Sequence, residues 1–128
     1  KFPLSHLPQK WNSLMEEYLG VTPPNDTKGV LQDIHWSSGG FGYFSTYALG
    51  NLVSAQLWEK INEEIPNLTD QISNGKFAEL LTWLGSNVHQ HGRKFEPQEL
   101  VKRVTGSRIR SDPYLRYLQN KFGGIYKI

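Results

Sequence analysis

The sequence predicts an all-α fold, in which one long helix follows a Gly/Ser-rich loop and is packed by four or five shorter helices. Apolar residues recur at intervals of three and four along most of the 128-residue chain, which is the spacing of one helix face. Glycines and prolines separate these stretches at places where helices usually stop or start. No run of strict apolar and polar alternation exceeds about four residues, so we expect no strand.

The first helix is expected to begin at Pro8, because a proline fits the first helical position, and to stop at Gly20. A connector over residues 22–26 follows, and its two prolines restrict the backbone there. Asp26 or Thr27 is then expected to cap a short turn over residues 28–33, since both side chains can accept hydrogen bonds from backbone N–H groups.

The long helix is predicted from about residue 42 to about residue 65, where a Pro-Asn pair breaks it. Ser111 or Asp112 is expected to cap the last helix, and Gly123 with Gly124 is expected to fray its end. The shorter helices that follow the long one are predicted over residues 69–73, 76–90 and 98–105 and from Pro113 onward.

Length and composition limit the classes of protein that this chain can belong to. A chain of 128 residues forms one domain, and because it begins with Lys1 we expect residues 1–128 to be a single domain or a fragment of a larger catalytic domain. The net charge of +2, without any basic stripe, argues against a nucleic-acid partner. No apolar run is long enough for a membrane span. The absence of cysteine excludes disulfides and fits a cytoplasmic protein.

The loop over residues 29–44 carries the strongest functional signal, because it concentrates chemically diverse side chains among glycines and serines. An ordered Gly-rich loop loses much backbone entropy, so stability alone does not explain it. Loops of this kind often hold side chains against a ligand. The side chains concerned are an amide, a carboxylate, an imidazole, an indole and a phenol, of Gln32, Asp33, His35, Trp36 and Tyr43.

Residues 29–36 read Gly-Val-Leu-Gln-Asp-Ile-His-Trp, and residues 41–44 read Phe-Gly-Tyr-Phe. The first run satisfies the motif GxxQDxHW, and together these runs resemble the C-terminal quarter of the carboxypeptidase Taq family. Members of this family are zinc metallocarboxypeptidases that remove single residues from peptide C-termini. The resemblance extends over essentially the whole chain, including the tail with His89-x-His91-Gly92. Ser45 departs from the family, which usually has proline at that position.

The resemblance also draws attention to a missing motif. The family holds its zinc with two histidines of HExxH and a downstream glutamate, and the glutamate within HExxH is the general base. HExxH does not occur in this sequence. We therefore expect zinc, or cobalt, in the full-length enzyme and no metal ligand in this chain, so that the segment alone is inactive. His89 and His91 are two residues apart, which places them on nearly opposite faces of a helix, so both could bind one ion only if the helix has ended before them. A third ligand is also missing, which disfavours a metal site there.

The resemblance implies catalytic roles for two residues of the loop. Tyr43 would donate a hydrogen bond to the oxyanion, by similarity to the family and to related gluzincin peptidases such as angiotensin-converting enzyme. His35 would donate to the backbone carbonyl of the substrate near the scissile bond. From the residues alone, each also fits a structural role, Tyr43 as a packed tyrosine with a bonded hydroxyl and His35 as a structural imidazole.

Four further residues are expected to bind or support the substrate. Asp33 either orients His35 or caps backbone N–H groups of the loop, and Gln32 lies beside it in sequence. Trp36 forms either a wall of the cleft or part of the core. Tyr47, one helical turn beyond Tyr43, contacts either the substrate or Gln32.

Two readings of the function remain open on the sequence. In the first, the chain is the substrate-binding and oxyanion-stabilising part of a zinc-dependent metallocarboxypeptidase, whose partners are a peptide C-terminus, the remainder of the catalytic domain and, in a dimer, a second copy. In the second, it is a non-catalytic helical domain that binds peptides or a protein. Three arginines could clamp a terminal carboxylate but are expected to be surface charges: Arg103, Arg108 and Arg110.

Overall fold

The computed structural model describes residues 2–127 and contains six α-helices and no strand in that range. The predicted all-α fold is confirmed. The longest helix in this range is α2, with 20 residues; one shorter helix precedes it in the sequence and four follow it. The helices are α1 (Leu7–Leu19), α2 (Ser45–Glu64), α3 (Leu68–Ser73), α4 (Ala78–Asn87), α5 (Pro97–Thr105) and α6 (Asp112–Tyr126). None of these helices within residues 2–127 is both long and apolar enough to cross a lipid bilayer.

The chain divides into two compact units, and the boundary lies between Thr46 and Tyr47. The first unit contains α1, short 3-10 turns and the first two residues of α2. The second contains the rest of α2 and the remaining four helices.

Helix α1 begins and ends where the sequence predicts. Pro8 lies in its first turn, where a missing N–H costs no helical hydrogen bond. Gly20 follows the helix in a left-handed conformation with φ of 66°, and its N–H donates to the carbonyl of Glu16 at 2.9 Å. Glycine adopts this conformation without the steric penalty that a Cβ would bring.

The cap of the next turn is not the one predicted. Asn25 caps the turn Asp26–Lys28, and its side-chain oxygen accepts from the N–H of Lys28 at 3.0 Å. Asp26 and Thr27 lie inside the turn instead. Asn25 has the extended backbone that a cap residue needs, with φ of −162° and ψ of 170°, and this conformation could not be read from the composition of the connector.

The second unit has an apolar core where α2, α3 and α4 meet. Four buried residues form its centre, and other apolar side chains pack against them from α2 to α5. The buried residues are Ile61, Ile65, Leu68 and Trp83. The indole N–H of Trp83 donates to Glu64 Oε2 at 2.6 Å, so that the polar edge of this core residue is satisfied.

A buried amide ties α2 to the connection between α5 and α6. The Gln56 side chain is only 2% exposed, and its Nε2 donates to Thr105 Oγ1 at 2.9 Å and to the carbonyl of Arg108 at 3.1 Å. Its Oε1 accepts from the N–H of Arg110 at 3.2 Å. A buried amide left without these partners would cost stability, so the connection must keep this path.

Two helices are shorter than predicted. Helix α2 begins at Ser45 rather than near Gly42, because Gly42 has a φ of 77°, outside the helical region. Helix α4 ends at Asn87, since Val88 leaves helical geometry with φ of −123°, and a separate 3-10 turn covers His89–His91.

The end of α6 is longer than predicted. The helix continues through Gly123 and Gly124 to Tyr126, although each glycine in a helix interior costs about 1 kcal/mol relative to alanine. Phe122 and Tyr126 stack across the glycine pair with ring centroids 6.1 Å apart, an i, i+4 contact that supports the last turn. Ser111 precedes the helix but makes no side-chain cap, and Asp112 is already the first residue of the helix, so neither predicted cap is present.

Candidate active-site loop

Residues 29–44, called the site loop below, belong to the first unit and are built from short 3-10 turns. One turn covers Val30–Gln32 and the next covers Ile34–Ser38, with Asp33 between them in an extended conformation. The Asp33 carboxylate accepts from the N–H of His35 at 3.0 Å, which caps the second turn. Gly39 ends that turn in a left-handed conformation with φ of 78°.

Asp33 is 7% exposed and contacts the imidazole of His35 as well. The same oxygen, Oδ1, lies 2.8 Å from His35 Nδ1. Asp33 therefore both caps the loop and orients the ring, the two roles that the sequence left open. Because a carboxylate only accepts hydrogen bonds, this contact places a hydrogen on Nδ1. The Nε2 atom of a neutral His35 then accepts, and it donates only when the ring is protonated.

The phenol of Tyr43 packs beside this imidazole. The ring centroids of His35 and Tyr43 are 4.9 Å apart, with an angle of 41° between the planes. Phe44 approaches the same imidazole edge-on, at 5.2 Å and 76°. The Tyr43 side chain is 53% exposed and that of His35 is partly exposed, so neither group is sealed inside the unit. The structure thus brings together the two residues to which the sequence assigns chemistry.

Trp36 lies between two other aromatic rings. It stacks on Phe41 with centroids 5.7 Å apart, and it meets Trp11 of α1 edge-on at 6.3 Å. These contacts hold the site loop against α1, which agrees with the packing role for Trp36. Its role as a wall of a substrate cleft stays a prediction.

Gln32 belongs to the first unit and Tyr47 to the second. The Gln32 amide donates to the carbonyl of Thr27 at 2.5 Å and so closes the preceding turn. Tyr47 belongs to the second unit, where it lies in the first turn of α2 with an exposed side chain. Substrate contact by either residue stays a prediction, as does a bond between them.

Gly40 and Phe44 contact the candidate residues, although the sequence analysis predicts no role in the site for either of them. Phe44 was part of the aromatic motif, and its spacing from His35 gave no sign of an edge-on contact. Gly40 was one of two adjacent glycines, and only the folded backbone distinguishes it from Gly39. The N–H of Gly40 donates to the carbonyl of His35 at 2.8 Å.

Within residues 2–127, no group of three or more His, Cys, Asp or Glu side chains is arranged to hold a metal ion. His89 and His91 lie in a 3-10 turn, and the His91 ring packs edge-on against Phe95 at 5.3 Å. Arg103 pairs with Glu99 at 2.9 Å, as expected of a surface charge. The residues of this part of the chain do not fit a resident zinc site.

The sequence and the fold both match known carboxypeptidases. The family model of the carboxypeptidase Taq (M32) metallopeptidases matches residues 1–122. Carboxypeptidase 1 of Bacillus subtilis is 40% identical over 120 residues, which is 94% of this chain and 24% of the relative. Thermostable carboxypeptidase 1 of Thermus thermophilus is 41% identical over 120 residues, which is again 94% of this chain and 24% of the relative.

Solved structures agree with this match. The M32 carboxypeptidase from Deinococcus radiodurans R1 has a TM-score of 0.91 at 37% identity, covering 99% of this chain and 26% of its own. Metallocarboxypeptidase 1 of Trypanosoma cruzi has a TM-score of 0.85 at 36% identity, covering 94% of this chain and 26% of its own. The chain thus spans about a quarter of the length of these relatives. It belongs to the carboxypeptidase Taq (M32) family of metallopeptidases.

Proposed function

We propose that this chain supplies the substrate-binding and oxyanion-stabilising groups of a metal-dependent carboxypeptidase that releases C-terminal amino acids from peptides. The observation that supports the proposal most is the packing of the His35 imidazole, oriented by Asp33, beside the Tyr43 phenol. Family membership supports the reaction class. The partners would be the C-terminus of a peptide substrate and the remainder of the catalytic domain.

Tyr43 is proposed as the donor to the oxyanion. Hydrolysis of a peptide bond places negative charge on the carbonyl oxygen as the tetrahedral intermediate forms. A phenolic O–H held beside that oxygen stabilises the charge more than it stabilises the neutral carbonyl, and this difference accelerates the reaction.

His35 is proposed to bind the substrate carbonyl near the scissile bond, and Asp33 is proposed to hold the ring for this task. With the hydrogen of Nδ1 directed to Asp33, a hydrogen bond from Nε2 to a carbonyl requires the protonated ring. Gln32, Trp36 and Tyr47 are proposed to complete the contacts with the peptide.

The metal of the proposed enzyme would be zinc or cobalt, bound by residues outside this chain. A bound metal ion of this kind activates a water molecule for attack. Because HExxH is absent from this sequence, we expect the 128-residue segment by itself to show no turnover. A cytoplasmic location is part of the same proposal.

The test of Tyr43 uses the complete enzyme that contains this segment. Tyr43→Phe removes one hydroxyl and should lower turnover about 10²–10³-fold, the usual effect of losing one oxyanion donor. Tyr18→Phe is the matched control, since Tyr18 is an exposed tyrosine of the same unit. The turnover of both variants is measured by the release of C-terminal residues from a peptide. Equal turnover in the two would show that Tyr43 has no catalytic role.

A second experiment tests the division of labour between this segment and the rest of the enzyme. The 128-residue segment and the complete protein are assayed with and without added zinc or cobalt. We expect metal-dependent release of C-terminal residues from the complete protein only. Turnover by the segment alone would contradict the proposal that its metal ligands lie elsewhere, and a complete protein that binds peptides without cleaving them would favour the non-catalytic alternative.

A further inference from the structure

We infer that Gly40 is a positioning residue, whose missing side chain sets the placement of His35 and Tyr43. The inference rests on the proposed function, because it concerns the geometry of that same pair. Gly40 itself contacts no substrate in this scheme and acts only through its two neighbours.

Both peptide groups of Gly40 are bonded to the candidate residues. Its N–H donates to the carbonyl of His35 at 2.8 Å, and its own carbonyl accepts from the N–H of Tyr43 at 3.1 Å. One residue thus connects the backbones that carry the imidazole and the phenol. A shift of Gly40 would therefore move the two groups relative to each other.

The space beside Gly40 is closed by the same two residues. A Cβ added at this position would lie 3.1 Å from the His35 carbonyl oxygen, 3.2 Å from His35 Cβ and 3.6 Å from Tyr43 Cβ. The first two distances are tighter than ordinary van der Waals contact, and both involve rigid atoms close to the backbone rather than the end of a flexible side chain. A side chain at position 40 therefore requires His35 to move by a few tenths of an ångström.

The neighbouring glycines are required for a different reason. Gly39 and Gly42 have φ values of 78° and 77°, a conformation that favours glycine, and an added Cβ would meet nothing within 4 Å at either position. Gly40 is not among the residues with positive φ. The need for glycine at position 40 is therefore steric, and the tight contacts of an added Cβ are with His35.

The test compares Gly40→Ala with Gly85→Ala in the complete enzyme. Gly85 lies within α4, where an added Cβ meets nothing within 4 Å, so it is a matched control. Displacing a reacting group by about 1 Å can cost about 10²-fold in rate, so for a displacement of a few tenths of an ångström we expect Gly40→Ala to lower kcat about 3- to 10-fold with a smaller change in KM. Gly85→Ala should keep the parent kcat. A parent-like kcat in Gly40→Ala would overturn the inference.

Two further measurements separate positioning from simple loss of structure. In a His35→Ala, Tyr43→Phe background, Gly40→Ala should cause no additional loss of turnover, because the groups it positions are gone. A loss of the same size in that background would overturn the inference. In the nuclear magnetic resonance spectrum, Gly40→Ala should shift the His35 ring nitrogens while Gly85→Ala leaves them in place, and unshifted His35 nitrogens in Gly40→Ala would also overturn it.

The unmodified protein provides a test that does not depend on whether a variant folds. If Gly40 is held as described, its amide hydrogen should exchange slowly with solvent, and rapid exchange would contradict the inference. Should His35→Ala and Tyr43→Phe both retain full turnover, the proposed function fails. The ring-nitrogen shifts and the amide exchange would still decide whether Gly40 positions the two residues.

Discussion

The two units of this chain are stabilised in different ways. The second unit buries apolar side chains of regular helices, such as Ile61, Ile65 and Leu68, in a common core. In the site loop of the first unit, Val30 and the carboxylate residue Asp33 are buried, while Phe41, Tyr43 and Phe44 are exposed by half or more. Burial of apolar area gives the second unit its stability, whereas hydrogen bonds and close backbone approach determine the shape of the site loop.

This difference shows where function can be changed without loss of the fold. Functional loops are usually drawn from the less stable parts of a protein, and their substitutions alter geometry more than global stability. Substitutions in the core of the second unit should do the opposite. The predictions below test this contrast and are ordered by the size of the expected effect.

The largest effect is expected from Leu68→Ala. Leu68 is 2% exposed at the centre of the core, and Leu→Ala at such sites costs about 2–5 kcal/mol in the free energy of unfolding. Leu81→Ala is the matched control, since Leu81 is an exposed leucine of α4 and its truncation should cost far less. Denaturant unfolding of the complete protein measures both. Equal destabilisation by the two variants would contradict the assignment of Leu68 to the core.

Asp33→Asn should have an intermediate effect, and on turnover rather than on the core. The amide no longer provides an acceptor-only partner, so the orientation and hydrogen placement of His35 become less defined. Replacing the partner that orients a metal-bound histidine lowers activity about 10- to 100-fold, and we expect a loss of similar size for the Asp33 partner of His35. Asp26→Asn, an exposed aspartate of the same unit, serves as the control. If peptide cleavage by the Asp33 variant matched that of the control, Asp33 would have no orienting role.

The smallest effect is expected from Glu64→Gln, and it should depend on pH. The indole of Trp83 and then the ammonium of Lys60 stabilise the Glu64 carboxylate, which lowers the pKa of Glu64 from its ordinary value of 4.5. The unfolded state therefore binds more protons, so the stabilisation is complete above pH 4.5 and is lost as the pH falls through the folded-state pKa.

The difference in unfolding free energy between Glu64→Gln and the parent should accordingly be present at neutral pH and shrink in acid. Denaturant midpoints measured across this range test the prediction. Glu63→Gln is the control, because Glu63 also contacts Lys60, at 3.4 Å, but does not contact Trp83. A difference that stays constant as the pH falls would show that the Glu64 charge is not involved.

Local signals in the sequence predicted most of the fold. Gly20 and Pro8 marked the ends of α1 correctly because each has a conformational preference that acts on its own backbone. Gly123 and Gly124 misled the prediction, since the helix continues through them in spite of their weak helix propensity, with Phe122 stacked on Tyr126 across the pair. The cap by Asn25 depends on a backbone conformation that the sequence does not encode locally.

The candidate site divides in the same way. The motif indicated His35 and Tyr43. The contact between Asp33 and His35 could be predicted because the two residues are only two positions apart in the sequence. The role of Gly40 was not accessible, because it depends on how closely the folded backbone approaches His35. Steric requirements of this kind belong to the tertiary structure.

The buried amide of Gln56 has a practical consequence for anyone who alters this protein. Its oxygen and nitrogen are satisfied by Thr105, the last residue of α5, and by Arg108 and Arg110 on the connection between α5 and α6. This connection would otherwise seem a convenient place to insert a tag or open the chain. An insertion there would move the backbone away from Gln56. The buried amide would then lose its hydrogen-bond partners. New chain ends and fusion partners belong instead at surface turns that no buried polar group depends on.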